Sequence, residues 1–468
     1  MSDPSPVARP GTPTTLPQKA FRAWVGKRMD ALASLPGPTP SFPLGNAQDF
    51  LGRLPWEVCA EYAERYGAMV RVWFFGSPTL VLTEPELVWQ VLEGDFDNYY
   101  KGPPRKQFLP ILTDASEFIA NGAAWAERRA ADPANNAHGP RGYEFDPLAI
   151  RESLTRRARA YVETTRDAPL GDVFPALLRL SFDTLSIQAV GQELGDEAFH
   201  TFSTLMEVGN TRLNAPVYLP FALTGARAHA RWQAGFAAHV QQARRTPGSG
   251  RSMLHATLQV GTRLDDAALA AQLGNIFFGG MTSITSGVLS SLYLLTRHPD
   301  VRERVVAELR ALADLTPEAL EGCQELKRVV LESLRVLPPV PIYARRSNPT
   351  REVSLGGQVL PPDTNILLTC WPLHRSARHW KDPERFEPSR WQGTTLEQNP
   401  LGSGYYFPFG RGRRSCAGSR IGLLNIQLIL AALLVTCRPE VGAGQPYVGR
   451  FFHGTMLPKG MSARFLSV

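Results

Sequence analysis

The hydrophobic pattern of this chain is mainly helical. From about residue 115 to residue 335, apolar side chains recur every three or four positions between breaks of Pro and Gly, which is typical of amphipathic helices. The longest predicted helix covers 265–296, where an aspartate can cap its start and Arg297-His298-Pro299 ends it. At about 1.5 Å per residue this helix would be roughly 45 Å long, enough to cross a whole domain.

A smaller part of the chain has the pattern of β-strands. Residues 70–74 and 79–83 flank Gly76-Ser77-Pro78, which predicts a β-hairpin. After residue 336, Pro-rich loops and short strands dominate. Further helices are predicted at 56–66, 84–93 and 419–436. The predicted fold class is therefore mainly α with a small β portion.

The N-terminal segment differs from the rest of the chain. Residues 1–16 are rich in Pro, Ser and Thr, which favours disorder. Residues 17–34 can form a basic amphipathic helix with Phe21, Trp24, Val25, Met29 and Leu32 on one face. Such a helix either packs on the protein itself, which we favour, or lies on a membrane surface. We predict an N-terminal extension over 1–35, partly disordered, and one domain over 36–468.

Composition and charge exclude several classes of protein. The 50 Lys and Arg exceed the 43 Asp and Glu by only seven, and no basic tract suggests nucleic-acid binding. No apolar run follows the N-terminal charges as in a signal peptide. No window approaches the roughly 18 apolar residues of a membrane span, so we expect no transmembrane span. The five scattered cysteines form no CxxC pair, which indicates neither zinc nor disulfides and favours the cytoplasm.

The segment 409–418 carries the most specific chemistry. Cys416 lies just before the predicted helix at 419–436, where a helix N-terminus stabilises a thiolate. Gly412 and Gly418 allow the backbone to turn and approach a flat cofactor, while Phe409 can shield the sulfur. Arg414 can reach a carboxylate at a cofactor rim. A buried cysteine or a thiol nucleophile is the alternative, but none of the nine histidines lies in a recognisable pairing motif.

This segment resembles the haem-ligand loop of the cytochrome P-450 family. It satisfies every specified position of the pattern F-x-x-G-x-R-x-C-x-G. The resemblance implies a soluble, bacterial-type member with a long central helix over haem b and a cysteine-ligand loop beneath it. Cys416 would be the metal ligand, and 36–468 would form a single haem-binding catalytic domain. Cofactor-binding residues in the loop would be Phe409, Gly412, Arg414, Cys416 and Gly418.

A second match to the family lies in an E-x-x-R pair. Glu332 and Arg335 are three residues apart, so they share one helical face and can form an ion pair. The sequel Pro338-Pro339-Val340-Pro341 makes the match specific. In the family such a pair binds an Arg of a Pro-Glu-Arg-Phe segment, which predicts Arg385 as the third member. These residues would be structural, holding the cysteine loop.

Further matches concern the cofactor's carboxylates. Trp125 and Arg129 form W-x-x-x-R on one helical face, and the resemblance implies that both bind a haem propionate. Arg345 matches another propionate partner. The segments Pro36-Gly37-Pro38 and Leu44-Gly45-Asn46 resemble the family's proline-rich N-terminal segment.

The long helix departs from the family pattern A/G-G-x-D/E-T. A gapless alignment from Arg297-His298-Pro299 places Thr282 at the acid position and Ser283 at the alcohol position, after Gly280. These three residues are the predicted catalytic set. Dioxygen cleavage needs protons, which an alcohol can position and a carboxylate can relay, but threonine does not ionise near neutral pH. One explanation is that the substrate supplies a hydroxyl or water. Alternatively, the reaction is oxidative cyclisation, coupling or desaturation, or is peroxide-dependent or redox-neutral.

The predicted function is that of a haem-thiolate monooxygenase. It would oxidise a small apolar organic, secondary-metabolite-like substrate with O₂ and electrons from an acidic ferredoxin or flavodoxin with its reductase. A haem-binding sensor without catalysis is the alternative from another class. The substrate pocket is predicted from segments near 100–120, 205–225, 275–284, 340–344 and 455–457. Its named residues are Asn275, Phe278, Gly279, Val340, Ile342, Tyr343 and Met456.

Overall fold

A computed structural model describes most of the 468 residues and divides them into two compact units. The described ranges are 15–26, 30, 32–101, 112, 116–136, 138–139, 142–143, 145–165, 170–214, 225–246, 250–395, 404–441, 449–452, 455–458 and 462–467. The first unit comprises Met1–Pro103, Val340–Arg385 and Gln398–Cys416, and the second comprises Pro104–Pro339, Phe386–Glu397 and Ala417–Val468. The single domain over 36–468 stays a prediction.

The α-helices agree with the predicted, mainly helical pattern. In chain order they are α1 Leu16–Val25, α2 Pro55–Tyr66, α3 Pro85–Trp89, α4 Gly122–Ala130, α5 Pro147–Thr165, α6 Phe174–Val190, α7 Gly195–Asn214, α8 Gly225–Arg245, α9 Met253–Gln259, α10 Asp266–Arg297, α11 Pro299–Arg310, α12 Pro317–Glu321, α13 Gln324–Val336, α14 Cys370–Leu373 and α15 Ser419–Thr436.

The strands are short and fall into small sheets. In chain order they are β1 Met69–Phe74, β2 Ser77–Leu82, β3 Tyr99–Tyr100, β4 His138–Gly139, β5 Gly142–Tyr143, β6 Gly171–Asp172, β7 Ile342–Ser347, β8 Val353–Leu355, β9 Gln358–Leu360, β10 Asn365–Thr369, β11 Cys437–Val441, β12 Gly449–Phe452, β13 Thr455–Pro458 and β14 Ser462–Ser467. The fold class predicted from the sequence is confirmed.

The first unit is built on a five-stranded sheet with the order β1-β2-β10-β7-β3. The predicted hairpin is confirmed, because β1 and β2 pair in antiparallel register from Met69 with Leu82 to Phe74 with Ser77. Alternating apolar residues bury both faces of the sheet, one against α2 and the other against the segment around α3. Helix α1 packs through Phe21 against Trp73 of β1. Trp24 stays exposed, and Met29 lies outside the described residues.

The second unit is organised around α10, whose ends lie within one residue of their predicted positions. Asp265 caps its start by accepting a hydrogen bond from the backbone N–H of Ala268 at 2.7 Å. Helices α6, α8 and α15 pack around it. The packing is close at Gly287, where a Cβ atom would lie 2.5 Å from Cδ1 of Ile426 in α15.

Two helices reach the length and mean hydropathy of a membrane span. These are α10 and α15, contrary to the expectation that no window of the sequence would approach this limit. Their small residues, such as Ser, Thr and Gly, interrupt the apolar run without lowering the mean hydropathy much. In both helices, 61% of the most apolar window is buried inside the protein, as expected for core helices.

Candidate functional site

The loop before Cys416 is shaped by glycines that no other residue replaces easily. Gly410 and Gly412 have φ angles of 67° and 73°, in the left-handed region that favours glycine. At Gly412 a Cβ atom would also lie 2.2 Å from the carbonyl oxygen of Leu92. The loop closes on itself, because the N–H of Cys416 donates to the carbonyl oxygen of Phe409 at 2.8 Å.

Tyr343 anchors this loop from strand β7. Its hydroxyl accepts a hydrogen bond from the N–H of Gly410 at 3.0 Å. It donates towards the carbonyl oxygens of Pro408 and Phe407, at 2.9 and 3.1 Å. Burial raises the pKa of Tyr343 well above its usual value, which keeps the hydroxyl protonated. The hydroxyl of Tyr343, a predicted pocket residue, is therefore used by backbone groups of the loop.

Cys416 differs from the other cysteines in its exposure. Cys59, Cys323, Cys370 and Cys437 are buried, whereas Cys416 is exposed. Burial raises the pKa of the thiols of Cys59 and Cys437 to about 12 and that of Cys323 to about 11. These buried thiols resist ionisation and metal binding. Cys416 is thus the cysteine that can offer its sulfur to a ligand.

The arginines around the loop have different surroundings. Arg411 lies over the ring of Trp89 and forms an ion pair with Glu93 at 2.6 Å. Arg413 is exposed and lies 3.7 Å from Asp97. The predicted cofactor-binding residues Phe409, Arg414 and Gly418 are half-buried. Their contacts with a cofactor stay predictions.

Arg345 is a buried cation without a carboxylate partner among the described residues. Only 6% of its surface is exposed. Its Nη1 donates to the adjacent carbonyl oxygen of Ala344 at 2.9 Å. Burial lowers the pKa of its guanidinium to about 10. Because an unpaired buried charge is costly, this arrangement favours an anionic ligand at Arg345.

Trp125 and Arg129, predicted for the same role, already bind a carboxylate in the second unit. Nε1 of Trp125 and Nη1 of Arg129 donate to Oε1 of Glu117 at 3.3 and 3.2 Å. The buried Asp132 lies beside Glu117, and desolvation followed by the hydrogen bond to Glu117 raises the pKa of Asp132 well above its usual value. The carboxyl groups of Asp132 and Glu117 are therefore joined by a hydrogen bond beside the side chain of Arg129.

The E-x-x-R pair forms a buried network with a different third arginine. Nε and Nη2 of Arg335 each donate to one carboxylate oxygen of Glu332 at 2.9 Å, and both residues are fully buried. Nε of Arg390 donates to the same carboxylate at 2.9 Å, and Nε1 of Trp391 at 3.0 Å. The prediction of Arg385 is wrong, because that side chain is exposed. The chain repeats the motif as Pro388-Ser389-Arg390-Trp391, and this second copy lies on α13.

The middle of helix α10 has an open stripe, formed by Gly279 and Ser283, between buried residues. Gly279 is exposed and Ser283 is half-buried, whereas the neighbouring Met281 and Thr282 are buried. A Cβ atom on Gly279 would meet no atom within 4 Å. At Gly280 it would lie 3.1 Å from Leu185 of α6. The predicted catalytic residues therefore separate: Ser283 lies on the open stripe, and Gly280 allows close helix packing.

The hydroxyl of Thr282 points to another part of the second unit. It lies 3.2 Å from the hydroxyl of Thr455 in β13, and both residues are buried. One turn further along α10, the hydroxyl of Ser286 donates to the carbonyl oxygen of Met456. The N–H of Met456 donates to the carbonyl oxygen of Pro339 at 2.7 Å. Thr282 and Ser286 thus attach the β12–β13 hairpin to the helix.

Of the other predicted pocket residues, some contact neighbouring side chains and others lie in or near the core. Asn275 accepts a hydrogen bond from Ser116 at 2.6 Å, and the ring of Phe278 lies 5.3 Å from that of Phe118. Ile342 packs on the core beside α2, Val340 is half-buried, and Met456 is buried. Residues 102–111, 113–115 and 215–224 of the predicted pocket segments lie outside the described residues. The pocket as a whole stays a prediction.

Comparison with known proteins identifies the family. A family model described as Cytochrome P-450 matches residues 35–458. The chain belongs to the cytochrome P-450 family. Its curated relatives include the cyclooctat-9-en-7-ol 5-monooxygenase of Streptomyces melanosporofaciens, which is 29% identical over 79% of this chain and 82% of that protein. The dolabradiene monooxygenase of Zea mays is 25% identical over 84% of this chain and 83% of that protein.

The solved structures confirm the cytochrome P-450 fold. The crystal structure of the haem domain of cytochrome P-450DA matches with a TM-score of 0.80, at 20% identity, over 92% of this chain and 97% of that chain. Membership of the family, shown by the family model, makes the chain an enzyme of the cytochrome P-450 monooxygenase type with haem b as its cofactor. It uses O₂ and receives electrons from a redox partner.

The residues present fit haem in the first unit. The exposed Cys416 suits a metal ligand, and the buried guanidinium of Arg345, which has no carboxylate partner in the described part of the chain, suits a propionate. The sequence motifs did not indicate the contacts made by Glu117, Thr455 and the hydroxyl of Tyr343. Arg390 could have been found, because its segment also has the spacing Pro-x-Arg-aromatic.

Proposed function

We propose that this cytochrome P-450 oxidises a small, largely apolar secondary metabolite in the cytoplasm. The observation that carries the proposal is the open stripe of α10, where Gly279 and Ser283 interrupt a buried helical surface. A groove without side chains beside a single hydroxyl suits the binding of dioxygen and an apolar molecule. Most other residues of this helix are apolar and offer few polar groups to a substrate.

The proposed roles of the chain's residues follow from their surroundings. Thiolate-bound haem supplies the activation of dioxygen for attack on an unactivated C–H bond. Cys416 supplies the sulfur, Arg345 binds a propionate, and Ser283 holds a proton or water on the open stripe of α10. Trp125 and Arg129 bind the other propionate, and they release the carboxylate of Glu117 when they do so.

The relatives support an apolar substrate. One acts on cyclooctat-9-en-7-ol and another on dolabradiene, as their names state, which are an alkenol and a diene. Phe278 and Phe118 offer an aromatic surface, and the contact of Asn275 with Ser116 offers a polar group. We propose an alkene-like or terpenoid-like molecule with at most a few polar groups.

The redox partner is proposed to be an acidic ferredoxin or flavodoxin that is served by its own reductase. Arg413 and Arg420 are exposed on either side of Cys416 in the sequence and can meet acidic side chains. Arg411 is less available because Glu93 binds it. Reduction rates should fall as the ionic strength rises. Rates that do not depend on salt would exclude an electrostatic docking surface.

The direct test of the proposed function uses spectra of the haem-loaded protein. The reduced, carbon monoxide-bound protein should show the red-shifted band of thiolate ligation, and Cys416→Ser should lose it. A panel of alkenols, dienes and aromatic compounds is then screened for changes in the spin state of the iron. A Cys416→Ser variant that keeps the band would refute the assignment of the ligand.

A second candidate is an oxidation in which oxygen insertion is not the outcome, such as cyclisation, coupling or desaturation. The buried contact of Thr282 with Thr455 favours it, because the acid position then holds no ionisable group that reaches solvent. The test measures product per reducing equivalent in Thr282→Asp and Ser283→Ala. Better coupling in Thr282→Asp supports a proton-limited monooxygenase, whereas unchanged coupling in both variants supports the second candidate.

A further inference from the structure

The hydroxyl of Tyr343 and the backbone of Cys416 are hydrogen-bonded to the same peptide group, the one between Phe409 and Gly410. The carbonyl oxygen of Phe409 accepts from the N–H of Cys416 at 2.8 Å. The N–H on the other side of that peptide belongs to Gly410, and it donates to the hydroxyl of Tyr343 at 3.0 Å. A chain of hydrogen bonds therefore leads from the phenol to the backbone of Cys416.

We propose that Tyr343 is a positioning residue for Cys416. It fixes the peptide between Phe409 and Gly410, and this peptide fixes the backbone amide of the cysteine. The direction of the sulfur, and the bond that it makes to the haem iron, then depend on a hydroxyl that lies more than 70 residues earlier in the chain. This inference rests on the proposed role of Cys416 as the metal ligand.

Two properties of the loop explain why it needs this anchor. Gly410 has a φ of 67°, in a region that an unrestrained loop leaves easily. Hydrogen bonds in a chain also polarise each other, so a donor at Cys416 strengthens the bond from Gly410 to Tyr343. The hydroxyl adds a second restraint, because it also donates towards the carbonyl oxygen of Pro408 at 2.9 Å.

The start of the loop has an anchor of its own. Nε2 of His374 accepts a hydrogen bond from the N–H of Phe407 at 3.1 Å. The ring of Tyr343 also packs 6.1 Å from that of Phe407. Removing only the hydroxyl of Tyr343 should therefore leave the fold and the start of the loop in place. The segment from Pro408 to Cys416 should lose its restraint.

The test compares Tyr343→Phe with Tyr62→Phe. Tyr62 of α2 is a matched control in the same unit, because its hydroxyl donates to Asp49 while its ring packs in the core between α2 and the sheet. Each variant is measured for haem content, thermal midpoint without haem, Fe–S stretching frequency and the lifetime of the thiolate band of the reduced carbon monoxide complex. Tyr343→Phe should keep its haem content but shift the Fe–S frequency. Its thiolate band should decay about fivefold faster or more, as expected for the loss of one hydrogen bond.

Distinct outcomes would overturn the inference and the proposed function. An unchanged Fe–S frequency and band lifetime in Tyr343→Phe would overturn the role of Tyr343 alone. Equal effects in Tyr62→Phe would assign them to general destabilisation and overturn it as well. A wild-type protein without the thiolate band, or a Cys416→Ser variant that keeps it, would overturn both the ligand assignment and the inference.

Discussion

Arg345 of the first unit and Arg129 of the second match the same kind of family position but have opposite surroundings. Arg345 is buried without a carboxylate partner among the described residues, and its pKa is lowered to about 10. Arg129 is bound by Glu117, which also accepts from Trp125. If both bind the proposed propionates, the first arginine gains a counter-charge, whereas the second exchanges one carboxylate for another. A match to a motif therefore does not by itself measure how strongly a residue binds its ligand.

The largest expected effect concerns Arg390, which binds the buried carboxylate of Glu332. Arg390→Ala should lower the free energy of unfolding by about 3 kcal/mol, because it removes one of the two arginines that bind the buried Glu332 carboxylate. Arg385→Ala, five residues earlier and exposed, should change it by less than about 0.5 kcal/mol. Denaturant unfolding of both variants checks this expectation. A larger loss in Arg385→Ala would restore the residue predicted from the sequence.

The second effect concerns Arg345, which has no carboxylate partner among the residues that the structure describes. Arg345→Met should weaken haem retention about 10- to 100-fold, because a charge-assisted hydrogen bond contributes about 1.5–3 kcal/mol. The haem-free protein should not lose stability, since the substitution removes an unpaired buried charge. Arg346→Met is the control, as Arg346 pairs with Asp363. Transfer of haem to an acceptor protein and thermal unfolding measure the two quantities. A destabilised haem-free protein would show that Arg345 has another partner.

A third, smaller effect should come from Glu117. Glu117→Gln should tighten haem retention by a few-fold to about 10-fold, because a propionate no longer competes with a carboxylate for Arg129. The exposed Glu127 of α4, the helix that carries Arg129, provides the control Glu127→Gln. The same haem-transfer assay measures both variants. Weaker retention in Glu117→Gln would mean that Glu117 orients Arg129 and is not displaced.

The smallest effect is a pH dependence at Asp132. Its pKa is raised in the folded protein, so the folded state binds more protons than the unfolded state above the unfolded pKa of about 3.9. Stability at this site should therefore fall as the pH rises from about 4 through the raised pKa. Asp132→Asn should remove this dependence and stabilise the protein by about 1 kcal/mol at neutral pH. Thermal midpoints between pH 4 and 8 check the sign, and a steeper fall in Asp132→Asn would contradict it.

The sequence predicts the periodic and local features of this protein well. The long helix and the β-hairpin follow from side-chain periodicity. The exposure of Cys416 agrees with its dense local motif, and its role as the metal ligand stays a prediction. The third arginine was misplaced because two copies of the same short pattern follow each other, and only packing on α13 selects Arg390. The hydroxyl of Tyr343 and the carboxylate of Glu117 make contacts that carry no local signal. Thr282 and Ser283 are adjacent, but about 100° of helical rotation separates their directions.

The close approach of α15 at Gly287 limits what α10 can accommodate. The open stripe at Gly279 and Ser283 would reach Gly287 one turn later, but Ile426 already fills that position. A step of four residues is about 6 Å along the helix axis. The contact between Gly287 and Ile426, which lie on different helices, therefore ends the open stripe at this point. If the open stripe is the substrate groove that we propose, shortening Ile426 is expected to extend it by one turn and to widen the range of molecular lengths that bind.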